Sequence, residues 1–248
     1  MILFRIESQS NDLERINYPI GYLGGGTGNM PSGNLVDAYQ KSNGEMFDWT
    51  KLANDADPYA DRDPRLRMSI ITNNDTYKGR PVEIWEGGKD GQPIERSTRT
   101  GYYLKKFLDE NINLLENGTS VHVWPYFRLA EIYLNYAEAL NEISYSNLQN
   151  SEALVALNAV HTRAGLSPIL ITELPDQDSF RNAIMLERQQ EFPYEGQRWF
   201  DLVRMGGAKE AMKAEGHIIQ DYQFLYPIPK TELERINNTE LLWQNTGY

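Results

Sequence analysis

The stretch Glu187-Arg188-Gln189-Gln190-Glu191-Phe192-Pro193-Tyr194-Glu195-Gly196-Gln197-Arg198-Trp199-Phe200-Asp201-Leu202-Val203-Arg204 decides how the rest of the chain is read. Acids, bases and large aromatics recur in it at helical spacing, interrupted by one proline and one glycine. Arg188 to Glu191, Glu195 to Arg198, Arg198 to Asp201 and Asp201 to Arg204 are each three positions apart. Opposite charges so spaced are neighbours on a helix surface and stabilise it by roughly 0.2–0.5 kcal/mol per pair. A catalytic acid–base pair needs two carboxylates in different environments facing one cleft, and the ladder shows no such asymmetry. Glu187, Arg188, Glu191, Glu195, Arg198, Asp201 and Arg204 are therefore expected to form a structural ion-pair network and not a catalytic centre.

Outward from this stretch, the second half of the chain is helical by pattern. Leu129, Ile132, Tyr133, Tyr136, Ala137 and Leu140 recur at three and four, which predicts a long helix with that face apolar. Trp124-Pro125 precedes it, a proline near a helix start. Leu154, Leu157, His161 and Ala164 mark a second helix, with Ser151 as its N-cap and Gly165 as its stop. Ser179 caps a third, with Phe180, Ala183, Ile184 and Glu187 on one face, and Pro193 ends or kinks it. A helix from about Tyr194 to Arg204 then turns Trp199, Leu202 and Val203 inward, with its charge ladder along a seam with neighbouring helices. Tyr226-Pro227-Ile228-Pro229 must be extended. Thr231-Glu232-Leu233-Glu234 matches a capping box and starts a short last helix. Small residues (Ala137, Ala139, Ala156, Ala159, Ala164) suit close helix contacts of tetratricopeptide type, although no clean repeat recurs. The predicted fold class is mainly α: antiparallel helix pairs of tetratricopeptide-like type, with long irregular loops and few short strands.

The first half reads differently. Gly21 to Pro31 is rich in breakers, and no Gly-Lys-Ser/Thr follows its glycines, so a flexible loop is expected there and not a phosphate cradle. Leu35 to Tyr39 reads as a short helix, Met68 to Thr72 as a short strand, and Thr76 to Thr100 as loops with a hairpin. Asn54 to Arg65 concentrates Asp55, Asp57, Asp61 and Asp63. The glycine and terminal glutamate of an EF-hand are missing, so these aspartates are expected to cap turns and pair with Arg62, Arg65 or Arg67. The expected organisation is a loop-rich part, 1–123, and a helical part, 124–248, within one continuous domain.

Composition narrows the function classes. The chain has 248 residues and a formal charge of −11, which argues against a nucleic-acid surface. It contains no cysteine, so disulfides, thiolate zinc sites and cysteine nucleophiles are excluded. His122, His161 and His217 lack metal spacing, and His161 is expected to pack on its helix and not to ligate. No metal and no cofactor is implied. No stretch is long and apolar enough to cross a bilayer, and Met1-Ile2-Leu3-Phe4 is too short for the apolar core of a signal peptide.

Aromatic faces outside a core are candidate platforms for a ligand, since they bury area at low entropic cost. Tyr133, Tyr136 and Trp199 lie on helical faces and are expected in the core. Aromatics in the irregular half lack that explanation. Trp85, between Pro81 and Gly87-Gly88, is the first candidate for ligand contact, followed by Trp49, Tyr59 and Tyr77.

The pattern ER-x-x-EF-x-x-EG-x-RWFDL-x-R within the opening stretch resembles the C-terminal signature of the SusD/RagB family of nutrient-binding outer-membrane lipoproteins. Similar blocks occur in family order: Arg62 to Leu66, Gly101 to Phe107, Tyr126 to Ile132 running on to Tyr136 to Glu142, Leu157 to Leu166, Tyr226 to Pro229, and Gln244 to Tyr248. The resemblance covers about Gly33 to Tyr248. It implies a helix-pair scaffold under irregular loops. It also implies non-catalytic binding of oligosaccharide, or of a peptide or glycopeptide, at the surface of the cell outer membrane. Delivery to a TonB-dependent (SusC-like) transporter is implied with it. Family members are about twice as long, with a secretion signal and a lipidated N-terminal cysteine, so a C-terminal portion of such a protein is expected, its membrane association depending on a lipid anchor outside this sequence. The signature motifs carry the family's fold and not its ligand contacts. Two other readings stand beside this one: a helix-repeat module for protein partners, and a glycoside hydrolase using a pair among Glu187, Glu191 and Glu195 or the acids of Asn54 to Arg65.

Overall fold

Three helices of fifteen residues organise the second half of the chain in the computed structural model, which describes residues 2–54, 56–145 and 147–248. Met1 and Asp55, named above, lie outside the described residues. The chain falls into two compact units, Met1–Arg198 and Trp199–Tyr248. In chain order the first holds β1 (Leu3–Ile6), α1 (Asp12–Asn17), α2 (Gly33–Ala38), α3 (Arg65–Ser69), β2 (Ile70–Ile71), β3 (Thr76–Tyr77), β4 (Arg80–Pro81), β5 (Tyr103–Leu104), β6 (Val123–Phe127), α4 (Leu129–Ile143), α5 (Asn147–His161) and α6 (Gln177–Glu191). The strands form three antiparallel two-stranded pairs, β1–β6, β2–β5 and β3–β4. The architecture is mainly helical with few short strands.

Helix α4 packs on α5 and α6 around Leu134, Leu157, Phe180 and Ile184, all fully buried. Ala137, Ala153 and Ala156 are buried with them, and their small side chains let the helices approach closely. This corrects the expected face of α4 in part, since Ala137 is buried and Leu140 packs against the cluster as expected. Ala130, Leu134, Ala137 and Asn141 point inward, whereas Leu129, Ile132, Tyr133 and Tyr136 are exposed. Two apolar stripes lie side by side on that helix, and the one with alanines faces its neighbours.

Helix termini also differ from the sequence reading. Helix α5 starts at Asn147, a turn before Ser151. Asp176, and not Ser179, is the N-cap of α6: its Oδ1 accepts from Ser179 N at 2.7 Å, and Ser179 Oγ accepts from Asp176 N at 3.1 Å. The helix ends at Glu191, before Pro193, as expected. Tyr194 and Gly196 then adopt left-handed φ values of +64° and +80°. Two left-handed residues cannot continue a helix, so α7 (Arg198–Arg204) begins later than Tyr194. Pro125 sits in β6 opposite Phe4 and not at a helix start. Its missing N–H is tolerable in a two-stranded ribbon.

The loop-rich part has a core of tyrosines. Tyr18, Tyr22, Tyr77 and Tyr103 pack with Ile71, Val82, Ile112 and Leu114. Irregular backbone leaves carbonyls without ladder partners, and phenol hydroxyls reach them from inside the core: Tyr22 Oη donates to Tyr77 O at 2.7 Å. The glycine run beside α1 is packed, which corrects the expectation of a flexible loop. A Cβ on Gly25 would lie 2.4 Å from Pro19 O, and one on Gly26 2.5 Å from Arg15 O. Lys78 and Gly79, both left-handed, turn the expected hairpin between β3 and β4. Met68 to Thr72 is strand only at Ile70–Ile71, because α3 runs through Ser69.

In the second unit α7 is followed by α8 (Ala208–Ala214) and α9 (Lys230–Ile236). Trp199 stacks on Phe224 with ring centroids 6.2 Å apart. Ile228, held extended between two prolines, receives its backbone pairing from a side chain. Gln244 Oε1 accepts from Ile228 N at 2.8 Å, and Gln244 Nε2 donates to Ile228 O at 3.0 Å. Helix α9 starts at Lys230 after Pro229 with no side-chain cap, so the capping box expected at Thr231 does not form.

Candidate functional site

Two of the four candidate aromatics converge. Trp49 opens a short 3-10 turn whose cap is Asp48, with Oδ1 accepting from Thr50 N at 3.0 Å. Its indole is 41% exposed, and Nε1 donates to Asp37 Oδ1 at 2.7 Å, which fixes the ring plane. Tyr59 meets Trp49 edge to face at 6.2 Å. Phe47 extends the array on one side at 5.0 Å from Trp49, and Tyr102 on the other at 6.4 Å from Tyr59. The Arg62 guanidinium lies 4.2 Å over Phe47 and donates to the carbonyls of Val36 and Tyr39, so the array is tied to α2. Burial, reinforced by the Tyr102 hydroxyl, pushes the Tyr59 phenol well above its ordinary range, so it acts as a neutral hydroxyl.

A polar pocket of about 450 Å³ adjoins Tyr59. Asp57, Arg67, Asn73, Asn74 and Asp75 line it. Arg67 bridges Asp57 at 2.6 Å and Asp75 at 2.9 Å, which orients both carboxylates. Among the described residues no cluster of acids and histidines is placed to hold a metal ion. Aspartates 57 and 63 pair with Arg67 and Arg65, while Asp61 accepts from the Ser42 hydroxyl.

Trp85 stands on the segment that leaves this pocket. Ile84 N donates to Asn73 Oδ1 at 2.9 Å, so the pocket rim anchors the loop that carries the indole. Gly91 holds the loop tight: a Cβ there would sit 2.3 Å from the carbonyls of Ile84 and Trp85. Trp85 is 48% exposed and, among the described residues, makes no aromatic ring contact. Tyr77 does not belong to this surface. It is 1% exposed, with its ring edge-on to Tyr18 and Tyr22, and its place among the candidates is corrected accordingly. Phe47, Tyr102 and Asn73 were missed by the sequence reading. Tyr102 lies in the quoted Gly101 to Phe107 block, but nothing local says that its ring reaches Tyr59.

The acids of the opening stretch are met mostly by cations from distant segments. Arg65 on α3 binds Asp63 at 2.7 Å, Glu187 at 2.6 Å and Glu191 at 3.0 Å. Arg128 binds Glu191 at 2.8 Å and Glu195 at 2.7 Å. Lys106 adds a 2.6 Å contact to Glu195, and Arg163 one of 2.5 Å to Glu191. Arg188 donates to Asn135 and Gln197, and Arg198 opens α7. The three-apart spacing is used by Asp201 and Arg204, which pair at 2.9 Å in the second unit. The network is thus a hub on a seam between elements, with its cations drawn mostly from other segments and not from the three-apart spacing.

Burial by itself raises the Glu187 carboxyl, but the hydrogen bond from His161 and the charge and hydrogen bond of Arg65 outweigh it and hold the group below the ordinary glutamate value. A depressed folded value stabilises the fold above the unfolded glutamate pKa, and that contribution is lost as pH falls through the folded value. Acid titration of the melting temperature is therefore expected to show a decline below about pH 4.5 that is shallower in Glu187→Gln. An identical acid limb in the variant would refute the assignment.

The sequence profile of the SusD family matches residues 4–248. The chain is 37% identical over 199 residues to SusD-like protein P2 of Formosa agariphila, covering 75% of this chain and 37% of that protein. It is 32% identical over 205 residues to SusD-like protein P38 of the same organism, covering 78% and 38%. The chain thus spans well under half the length of these relatives. A SusD-like protein of Bacteroides fragilis superposes with a TM-score of 0.71 at 24% identity, over 91% of this chain and 48% of that one. A SusD-like carbohydrate binding protein from that organism superposes at 0.64 with 25% identity, over 76% and 38%.

Proposed function

The chain belongs to the SusD family, and from that premise we propose that it binds oligosaccharide on the Trp49–Tyr59 surface without altering it chemically. It would act at the face of the cell outer membrane and pass its ligand to a TonB-dependent, SusC-like transporter. The observation that carries the binding reading is the exposed Trp49 indole, backed by the half-buried Tyr59, beside a pocket of oriented carboxylates and amides. Indole and phenol faces take the C–H side of a pyranose, and Asp57, Asn73 and Asp75 offer planar partners to its hydroxyls. The carbohydrate-binding relative of similar fold supports the ligand class.

A hydrolytic reading is disfavoured by the acids themselves. A glycosidase needs one carboxyl that carries a proton and another open to the sugar or to water. Both oxygens of Glu191 and of Glu195 are already engaged by cations.

Affinity electrophoresis of wild type, Trp49→Ala and Trp85→Ala through gels containing soluble glycans tests the binding surface. Trp49→Ala is expected to weaken retention about tenfold or more, the effect of removing a central aromatic anchor, with an unchanged melting temperature. Trp85→Ala, whose ring stands alone, should lose less. Equal retention of Trp49→Ala and wild type removes the array from the site. Failure of wild type to bind any glycan moves the weight to the helix-repeat interaction module.

A further inference from the structure

A second cavity, of about 520 Å³, lies between the Gln40–Glu45 turn, the 167–174 segment and α6. His161 is part of its wall and only 1% exposed. The ring's Nδ1 lies 2.7 Å from Glu187 Oε2, whose other oxygen is held by Arg65 at 2.6 Å. The carboxylate is the partner of Nδ1, which leaves the opposite ring nitrogen, Nε2, to another partner. That Nε2 is buried and has no hydrogen-bond partner among the described residues. Buried polar atoms are nearly always partnered, and because His161 lines the cavity a ligand hydroxyl is a fitting partner for the orphan.

The remaining walls indicate the ligand's chemistry. Pro168, Ile169 and Leu174 offer an apolar side, and Asn43, Glu45 and Glu173 offer amide and carboxylate groups. An apolar wall facing hydrogen-bond acceptors suits a molecule with C–H faces and hydroxyl rims. Glu45 and Glu173 place carboxylates on the wall and disfavour anions. We propose that this cavity is a second ligand site, which takes a neutral polyol the size of a single sugar ring and binds one of its hydroxyls through His161 Nε2. The site is separate from the Trp49–Tyr59 surface and shares no residue with it.

Histidine-selective ¹⁵N NMR reads the Nε2 resonance of His161 directly. Titration with D-glucose, D-galactose, D-mannose and D-xylose is expected to shift it saturably for at least one sugar, and D-glucuronate is not. The response should persist in Trp49→Ala and vanish in Ser167→Trp, which plugs the cavity from an exposed position and leaves the buried cluster untouched. His161→Phe, if folded, should bind the responding sugar about tenfold more weakly by calorimetry. The proposal is overturned if none of the four sugars shifts the resonance, if the shift survives Ser167→Trp, or if it is lost in Trp49→Ala. Loss of oligosaccharide retention in Trp49→Ala with the His161 response intact separates the two sites.

Discussion

Arg65→Ala is expected to destabilise the Met1–Arg198 unit by about 3–5 kcal/mol, seen as a lower urea midpoint with an unchanged slope. The side chain is 8% exposed and reaches three carboxylates, Asp63, Glu187 and Glu191, as well as Gln190 Oε1 at 3.1 Å. Truncation would leave those acids buried beside one another with one cation fewer. The loss comes chiefly from charges left uncompensated, not from the attraction of any one pair. Arg163→Ala is the internal comparison. It also touches Glu191, but its side chain is 58% exposed, so water takes over much of its role and the loss should be far smaller. Equal effects of the two substitutions would show that the hub behaves like a surface network.

Phe180→Ala is expected to cost about 3–5 kcal/mol by a different mechanism, an unfilled cavity. Phe180 has no exposed surface and belongs to the cluster that joins α4, α5 and α6. Because Leu134, Leu157 and Ile184 are fixed by their own helices, little collapse can fill the space. Phe180→Leu keeps most of the volume and should lose less than half as much. Glycan retention by the surviving folded fraction should match wild type, since Trp49 and Tyr59 lie in other segments. A Phe180→Ala melt within about 1 kcal/mol of wild type would contradict the packing described for this core.

What the sequence disclosed depended on how local the cause was. Helices α4 to α6 and the stop before Pro193 follow from residues within a turn or two of one another. The face of α4 did not, because the choice between the Leu129–Tyr136 stripe and the Ala130–Ala137 stripe is made by α5. Trp49 and Tyr59 were visible as aromatics without a helical explanation, yet Tyr77 looked the same and lies in the core. Nothing near Tyr77 in the chain announces Tyr18 and Tyr22. The opening stretch was legible as ion pairing, but its principal partners were not. Arg65, Lys106 and Arg128 arrive from separate segments, and spacing within one helix carries no information about them.

Distance along the chain gives that hub a role in time as well as in stability. Arg65 reaches Glu187 and Glu191 across 122 and 126 positions, and Arg128 reaches Glu191 and Glu195 across 63 and 67. Closing such loops precedes any gain from the contacts they permit, and these pairs are expected to form late, on the native side of the folding barrier. Late contacts scarcely affect how quickly a chain assembles and strongly affect how long it stays assembled. The deficit of Arg65→Ala should accordingly appear in the unfolding limb of a chevron plot, with the refolding limb nearly unmoved. The charged hub is, in that sense, a latch on the lifetime of the folded state.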